Sequence, residues 1–215
     1  MTAPVSLGGL FGPGSDSDAE DGGGGGFANE ASESTVTLAG LQMRVRETPF
    51  HPLNANAVWP GAHVLAEWLR EAAPSRLAGR RCLELGSATG ALALFAVRAL
   101  GLDVTTSDVD DGEVEEAIAC NFRLNGALPP PHVAHTWGTP LPPGLGRFDV
   151  VFASDILLYT KSYPALVDTL EALCAPRDGH PVRPACARSR SRHANTAALW
   201  VRRRAPCFSC PGSGA

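Results

Sequence analysis

The chain has 215 residues, 44% of them hydrophobic, a formal net charge of -4 and six cysteines, which allows one domain with a sizeable core. No run approaches the roughly 18 apolar residues of a membrane span, and the opening MTAPVSLGGLFGPG has neither a basic start nor a continuous apolar stretch, so a soluble protein in the cytosol or nucleus is expected. The charge is uneven: everything ionised before Arg44 is acidic, from Asp16 to Glu33, whereas the stretch after Pro176 is dominated by arginine.

Residues 1–34 mix glycine, serine and carboxylates with few large apolar groups, which predicts a disordered leader. TVTLAGLQMRVRET, Thr35 to Thr48, alternates apolar and polar residues about Ala39-Gly40 and predicts a β-hairpin. In NANAVWPGAHVLAEWLREAA, Pro60 suits a first helical turn, and Val64, Leu65, Trp68, Leu69 and Ala72 form one apolar face. From residue 81 strand and helix alternate: CLELGS, GALALFAVRAL closed by Gly101, DVTTSD, and GEVEEAIACNFRLN closed by Gly126. HVAHTW, FDVVFASD and the helix SYPALVDTLEALC follow. Repeated βα units predict an α/β fold, a doubly wound and mostly parallel sheet covered on both faces. Cys82, Cys120 and Cys174 fall inside apolar periodic segments, so reduced thiols are expected. In residues 177–215 only AALWV, 197–201, has the pattern of a strand.

In such a sheet, ligands bind beyond the carboxyl ends of the strands. The turn Gly86-Ser87-Ala88-Thr89-Gly90 is predicted to bring backbone close to a ligand and to offer free amides there. Asp108 ends the next strand about twenty residues on, where a carboxylate accepts both ribose hydroxyls of a nucleoside. Asp110 or Asp111 suits a helix cap instead. The glycine spacing matches neither the dinucleotide fingerprint nor the phosphate-binding P-loop. Asp155, after FDVVFAS, is expensive to bury without partners and is predicted to face a polar pocket; the bland alternative is an N-cap for the segment leading to Tyr159. Cys207, Cys210, Cys186 and His193 fit no familiar zinc spacing.

LELGSATG, TTSD, HTWG and FDVVFASDILLY, preceded by NANAVWPGAHVLAEWL, resemble the seven-strand S-adenosylmethionine-dependent methyltransferases with their Rossmann-like fold, and within them the lysine methyltransferase-like family 16, or nicotinamide N-methyltransferase-like, group. The resemblance spans roughly Thr35 to Cys174, within a methyltransferase-like domain expected over residues 35–176. It implies that Glu84, Gly86 and Gly90 line the methionine end of S-adenosylmethionine, that Ser87 also belongs to the cofactor-binding set, that Asp108 holds the ribose, and that Trp137 lies beside the adenine. Trp59 would stand near the active-site entrance, Ser154 would complete the cofactor-binding set, and Asp155 and Tyr159 would be the catalytic pair.

Three departures from the family pattern carry expectations. Ala88 stands where glycine is usual, which requires a negative φ there. The acidic-x-x-aromatic motif reads Asp155-Ile-Leu-Leu-Tyr159, one residue longer, with Leu158 at the aromatic place. The fold normally continues with a fifth strand and two more; AALWVRRR is the candidate fifth, and residues 205–215 are too few for two others, so an altered reading frame or splice product after about Ala175 is expected.

The resemblance implies in-line methyl transfer to a protein lysine, with Asp155 and backbone carbonyls orienting the amine and no metal required. A monomer is expected, without membrane contact; nucleic acid is disfavoured because SDIL lacks the Asn/Asp-Pro-Pro-aromatic motif of nucleobase methyltransferases. The rival reading is a truncated, non-catalytic relative that binds cofactor or a partner.

Overall fold

The structure, a computed structural model, describes residues 30–174 and 198–202. The expectations placed on residues 1–29, on most of 177–215 and on the Cys186, His193, Cys207 and Cys210 group lie outside them. Among the described residues no helix is long and apolar enough to cross a membrane.

The chain opens with a two-stranded ribbon, β1 (Ser32–Leu38) and β2 (Leu41–Glu47). It begins three residues before the predicted start at Thr35, so residues 32–34, predicted as leader, belong to the ribbon instead. Ala39 and Gly40 both take positive φ, 45° and 88°, as a two-residue hairpin turn of the primed type requires. Leu38, Met43 and Val45 are buried, whereas β1 before Leu38 is mostly exposed.

Helix α1 (Pro60–Ala72) follows, with Leu65, Leu69 and Ala72 buried along the predicted face and Trp68 half-buried against the same core. A π-helical turn (Ala73–Leu77) extends it. Next come β3 (Arg81–Leu85), α2 (Ala91–Leu100), β4 (Asp103–Asp108), α3 (Gly112–Leu124), β5 (His132–Ala134) and β6 (Val150–Ser154). A 3-10 turn (Thr160–Ser162) leads into α4 (Tyr163–Cys174), and β7 is Ala198–Arg202. Asp111 is the N-cap of α3, accepting a hydrogen bond from the Glu113 amide at 2.9 Å.

The sheet order is β5-β4-β3-β6-β7. β3 pairs in parallel with β4 and β6, and β4 with β5. β7 lies where the fifth strand was expected and pairs antiparallel with β6. Cys82, Val150 and Phe152 face one apolar layer with α1, α2 and α3, while Leu83, Leu85, Val151 and Ala153 face a second with α4. That alternation gives a sheet covered on both sides. Among the described residues, Cys82 and Cys120 are free thiols.

The ribbon is tied to this body by two asparagines one helical turn apart, Asn121 on α3 and Asn125 just past its end. The Asn125 amide pairs with Arg44 through its N–H (3.0 Å) and carbonyl (2.7 Å). Asn121, fully buried, does the same with Arg46 (2.7 and 3.2 Å) and also donates to the Thr89 carbonyl at 2.9 Å. These side chains act as a partner strand for the outer edge of β2, as buried backbone polar groups demand.

Candidate functional site

The carboxyl ends of the parallel strands meet at one edge of the sheet, where their loops and the segment between β2 and α1 enclose a cavity of about 440 Å³. The glycine turn contributes Gly86 and Ala88, β4 contributes Asp108, and the loop after β5 contributes His135, Thr136 and Trp137. The loop after β6 contributes Ser154, Asp155 and Ile156, then Leu158, Tyr159 and Lys161; Leu53, Asn54, Ala55 and Trp59 close the remaining side. Of the predicted site residues, Trp59, Gly86, Asp108, Trp137, Ser154, Asp155 and Tyr159 are therefore brought together. Glu84, Ser87 and Gly90 do not line the cavity.

The turn is held largely by its own chain. The amides of Gly86 and Ser87 both donate to the Ser107 carbonyl (2.8 and 3.0 Å), and Gly90 N donates to Ser87 O (2.7 Å). Ala88 N donates to Asp108 Oδ2 at 2.6 Å. These amides are thus not free for a ligand, contrary to expectation; what faces the cavity is the carboxylate that one of them positions. The other oxygen, Oδ1, accepts from Val109 N at 2.8 Å. Burial pushes the Asp108 carboxyl above its ordinary value, and the Ala88 and Val109 amides oppose that rise.

Ala88 has φ 48°, so the expected negative φ is wrong. The amide must point at Asp108, and that demand holds an alanine in the left-handed region at a cost of about 1 kcal/mol.

Glu84 is buried in β3, and its Oε2 has no hydrogen-bond partner among the described residues. Burial pushes its carboxyl up to about 8; the Ser87 hydroxyl and the Ala93 amide only partly oppose this, and the Asp108 charge adds to it. Glu84 is therefore predominantly protonated at neutral pH.

Asp155 neither caps its own segment nor stands free. Helix α1 has no acidic residue in its first turn and no side-chain cap of its own. Asp155 Oδ2 supplies both from a distance, accepting from Gly61 N at 2.5 Å. The fit depends on glycine, since a Cβ on Gly61 would lie 2.5 Å from that oxygen. Next in sequence, Ile156 fills the space beside Gly86, where a Cβ would meet its Cγ2 at 2.7 Å. Two consecutive residues after β6 thus dock into two glycine vacancies, which joins the start of α1, the glycine turn and the β6 loop. Asp155 has φ 52°, a conformation Asp and Asn adopt more readily than other side chains. Burial raises its carboxyl pKa, opposed by the Gly61 amide.

Tyr159 reaches the cavity despite the extra residue, and so does Leu158. Its hydroxyl accepts from Asn54 Nδ2 at 2.7 Å, and Trp59 Nε1 donates to Asn54 O at 2.9 Å. One asparagine, at φ 61°, therefore links the two aromatic residues of the rim. Asn54 opens the quoted NANAVWPGAHVLAEWL stretch but is given no role there.

His135, within the quoted HTWG motif but given no role there, fastens the loop that carries Trp137. Thr169 Oγ1 accepts from Gly138 N (3.0 Å) and lies 3.3 Å from His135 Nε2. Thr139 Oγ1 donates to Thr136 O (2.7 Å) and lies 3.4 Å from His135 Nδ1. One pattern satisfies every proton: Thr169 donates to Nε2, and Nδ1–H donates to Thr139. It needs a neutral imidazole, and burial lowers the His135 pKa in the same direction.

The sequence model of a family described as lysine methyltransferase matches residues 39–197. Among curated relatives, a protein N-terminal and lysine N-methyltransferase of Aspergillus fumigatus is 28% identical over 146 residues, covering 62% of this chain and 56% of its own. EEF1A lysine methyltransferase 3 of Xenopus tropicalis is 28% identical over 148 residues, covering 67% and 64%. Protein N-lysine methyltransferase METTL21A of Danio rerio is 32% identical over 147 residues, covering 66% of each. The chain thus spans somewhat over half the length of the curated relatives it matches.

Proposed function

Because the chain belongs to the lysine methyltransferase family, we propose that it is an S-adenosylmethionine-dependent protein-lysine N-methyltransferase whose cofactor and acceptor share the cavity at the sheet edge. The observation that carries this is Asp108, a carboxylate at the end of β4, fixed by two amides beside the glycine turn and in one cavity with Trp137 and Asp155.

The donor set fits a cationic nucleoside. Two carboxylates, Asp108 and Asp155, line the cavity, and among its described lining residues there is one lysine, Lys161, and no arginine. Asp108 has lone pairs left for ribose hydroxyls after serving its two amides. Trp137 offers a flat apolar face with one donor for a purine. Gly86 keeps the turn low where a side chain would strike Ile156. When bound, the cofactor supplies an electrophilic methyl group on a sulfonium.

The protein's remaining work is to place an amine in line with that methyl group and keep it unprotonated. Closing of the apolar side chains of Leu158, Tyr159 and Trp59, which line the cavity, around an entering lysine would disfavour its charged form. Asp155, with Oδ2 held by Gly61, leaves Oδ1 to accept an N–H from that lysine and orient it. The proposed macromolecular partner is accordingly a protein presenting a lysine side chain.

The test is methyl transfer from isotopically labelled S-adenosylmethionine onto cell-extract proteins, followed by hydrolysis to amino acids. Label in methyllysine supports the reading. Label confined to other residues overturns the acceptor, and cofactor binding without any transfer selects the non-catalytic rival.

A further inference from the structure

Of the 18 basic residues in the chain, 17 are arginines and one is a lysine, Lys161. That single lysine stands in the wall of the candidate active site, two residues beyond Tyr159. It lies in the 3-10 turn Thr160–Ser162, whose backbone is fixed by Ser162 N donating to Tyr159 O and by the Tyr163 hydroxyl donating to Leu157 O, both at 3.0 Å. Its side chain is exposed and makes no hydrogen bond or ion pair among the described residues. An arginine guanidinium stays protonated and is no nucleophile, whereas an ε-amine on a flexible four-carbon stem becomes one once it loses a proton. The chain therefore offers one side-chain amine, and the fold places it where a methyl acceptor must enter.

We propose that Lys161 is the chain's own acceptor and is methylated in cis. The inference rests on the methyltransferase reading above. The Lys161 ammonium first releases a proton to water. Its Nζ lone pair then forms the N–C bond as the methyl–sulfur bond of S-adenosylmethionine breaks. The sulfur keeps that electron pair and leaves in uncharged S-adenosylhomocysteine, and the product on Lys161 is a methylammonium. Nothing is oxidised or reduced.

The full chain, purified and incubated with S-adenosylmethionine, should gain the mass of one to three methyl groups, located by fragmentation at Lys161. The rate constant should hold on dilution, whereas transfer between molecules slows about in proportion to dilution, because one molecule holding both reactants makes the step unimolecular. Independently of turnover, saturating S-adenosylhomocysteine should slow acylation of Lys161 by acetic anhydride relative to the α-amine. Lys161→Arg, which keeps the charge but removes the nucleophile, should abolish the mass gain. Calorimetric titration with S-adenosylhomocysteine on the same sample separates the failures. Saturable binding with no methyl gain, a gain that scales with protein concentration, a gain retained in Lys161→Arg, or unprotected acylation overturns the self-methylation proposal and leaves the cofactor reading intact. A folded protein that binds none of the ligand overturns both.

Discussion

Asp108 shows how much of the site depends on a few atoms. Its carboxylate is desolvated, takes two backbone hydrogen bonds, and holds the glycine turn through Ala88. The turn is strained for that purpose. Replacing Ala88 with glycine removes a left-handed alanine while keeping the amide, so Ala88→Gly should raise the free energy of unfolding by up to about 1 kcal/mol, less the entropy glycine adds to the unfolded chain. A shifted urea midpoint at constant slope would register it, and an unchanged or lower midpoint would contradict it. Glu84 makes a second, pH-dependent contribution. Its carboxyl is raised to about 8 in the folded chain, so the folded state keeps a proton that the unfolded state gives up at ordinary carboxyl pH. Stability from this group is complete below the ordinary carboxyl range and is lost as pH rises through about 8. Glu84→Gln should flatten that decline. Unfolding curves collected from pH 5 to 8.5 for the two proteins test it, and parallel pH profiles would count against the account.

At the level of elements, the βα rhythm was legible because each strand is a short apolar run and each helix carries an apolar stripe, as in Leu65, Leu69 and Ala72. The start of the ribbon was not. Ser32, Glu33 and Ser34 are exposed, so they leave no hydrophobic signature. Nor does the five-residue run of β7 carry a direction: an apolar strand reads the same parallel or antiparallel, and its pairing with β6 is decided by register. Long-range caps are equally silent. Asp155 was legible as a carboxylate needing partners, but its partner, the start of α1, is 94 residues away in sequence. Asp155→Ala removes that cap and leaves alanine at a left-handed φ, which should cost about 2 kcal/mol; Asp155→Asn keeps the acceptor and the tolerated φ and should cost about 0.5 kcal/mol. Chemical denaturation of both variants discriminates, and equal losses would show that the contact with Gly61 is not what holds α1.

On the scale of the whole molecule, the sheet edge collects residues from every loop at the carboxyl ends of its parallel strands and closes them with the segment before α1. Motif and position made Asp108, Trp137 and Asp155 legible as a group. The parts that tune the group were hidden because they act through side-chain geometry that no motif records: Asn54 between Trp59 and Tyr159, Asn121 between β2 and the glycine turn, and His135 between Thr139 and Thr169. The glycine turn itself changed meaning, from a donor of free amides to a frame that aims a carboxylate. That shift makes Asp108 the proposed holder of the nucleoside, and one titration tests it most directly. Calorimetry of the full chain with S-adenosylhomocysteine should give saturable heat, and Asp108→Ala, folded by circular dichroism, should weaken binding by about tenfold or more, the worth of hydrogen bonds to a charged group. Equal affinity in the two proteins, or no heat from the folded parent, would contradict it.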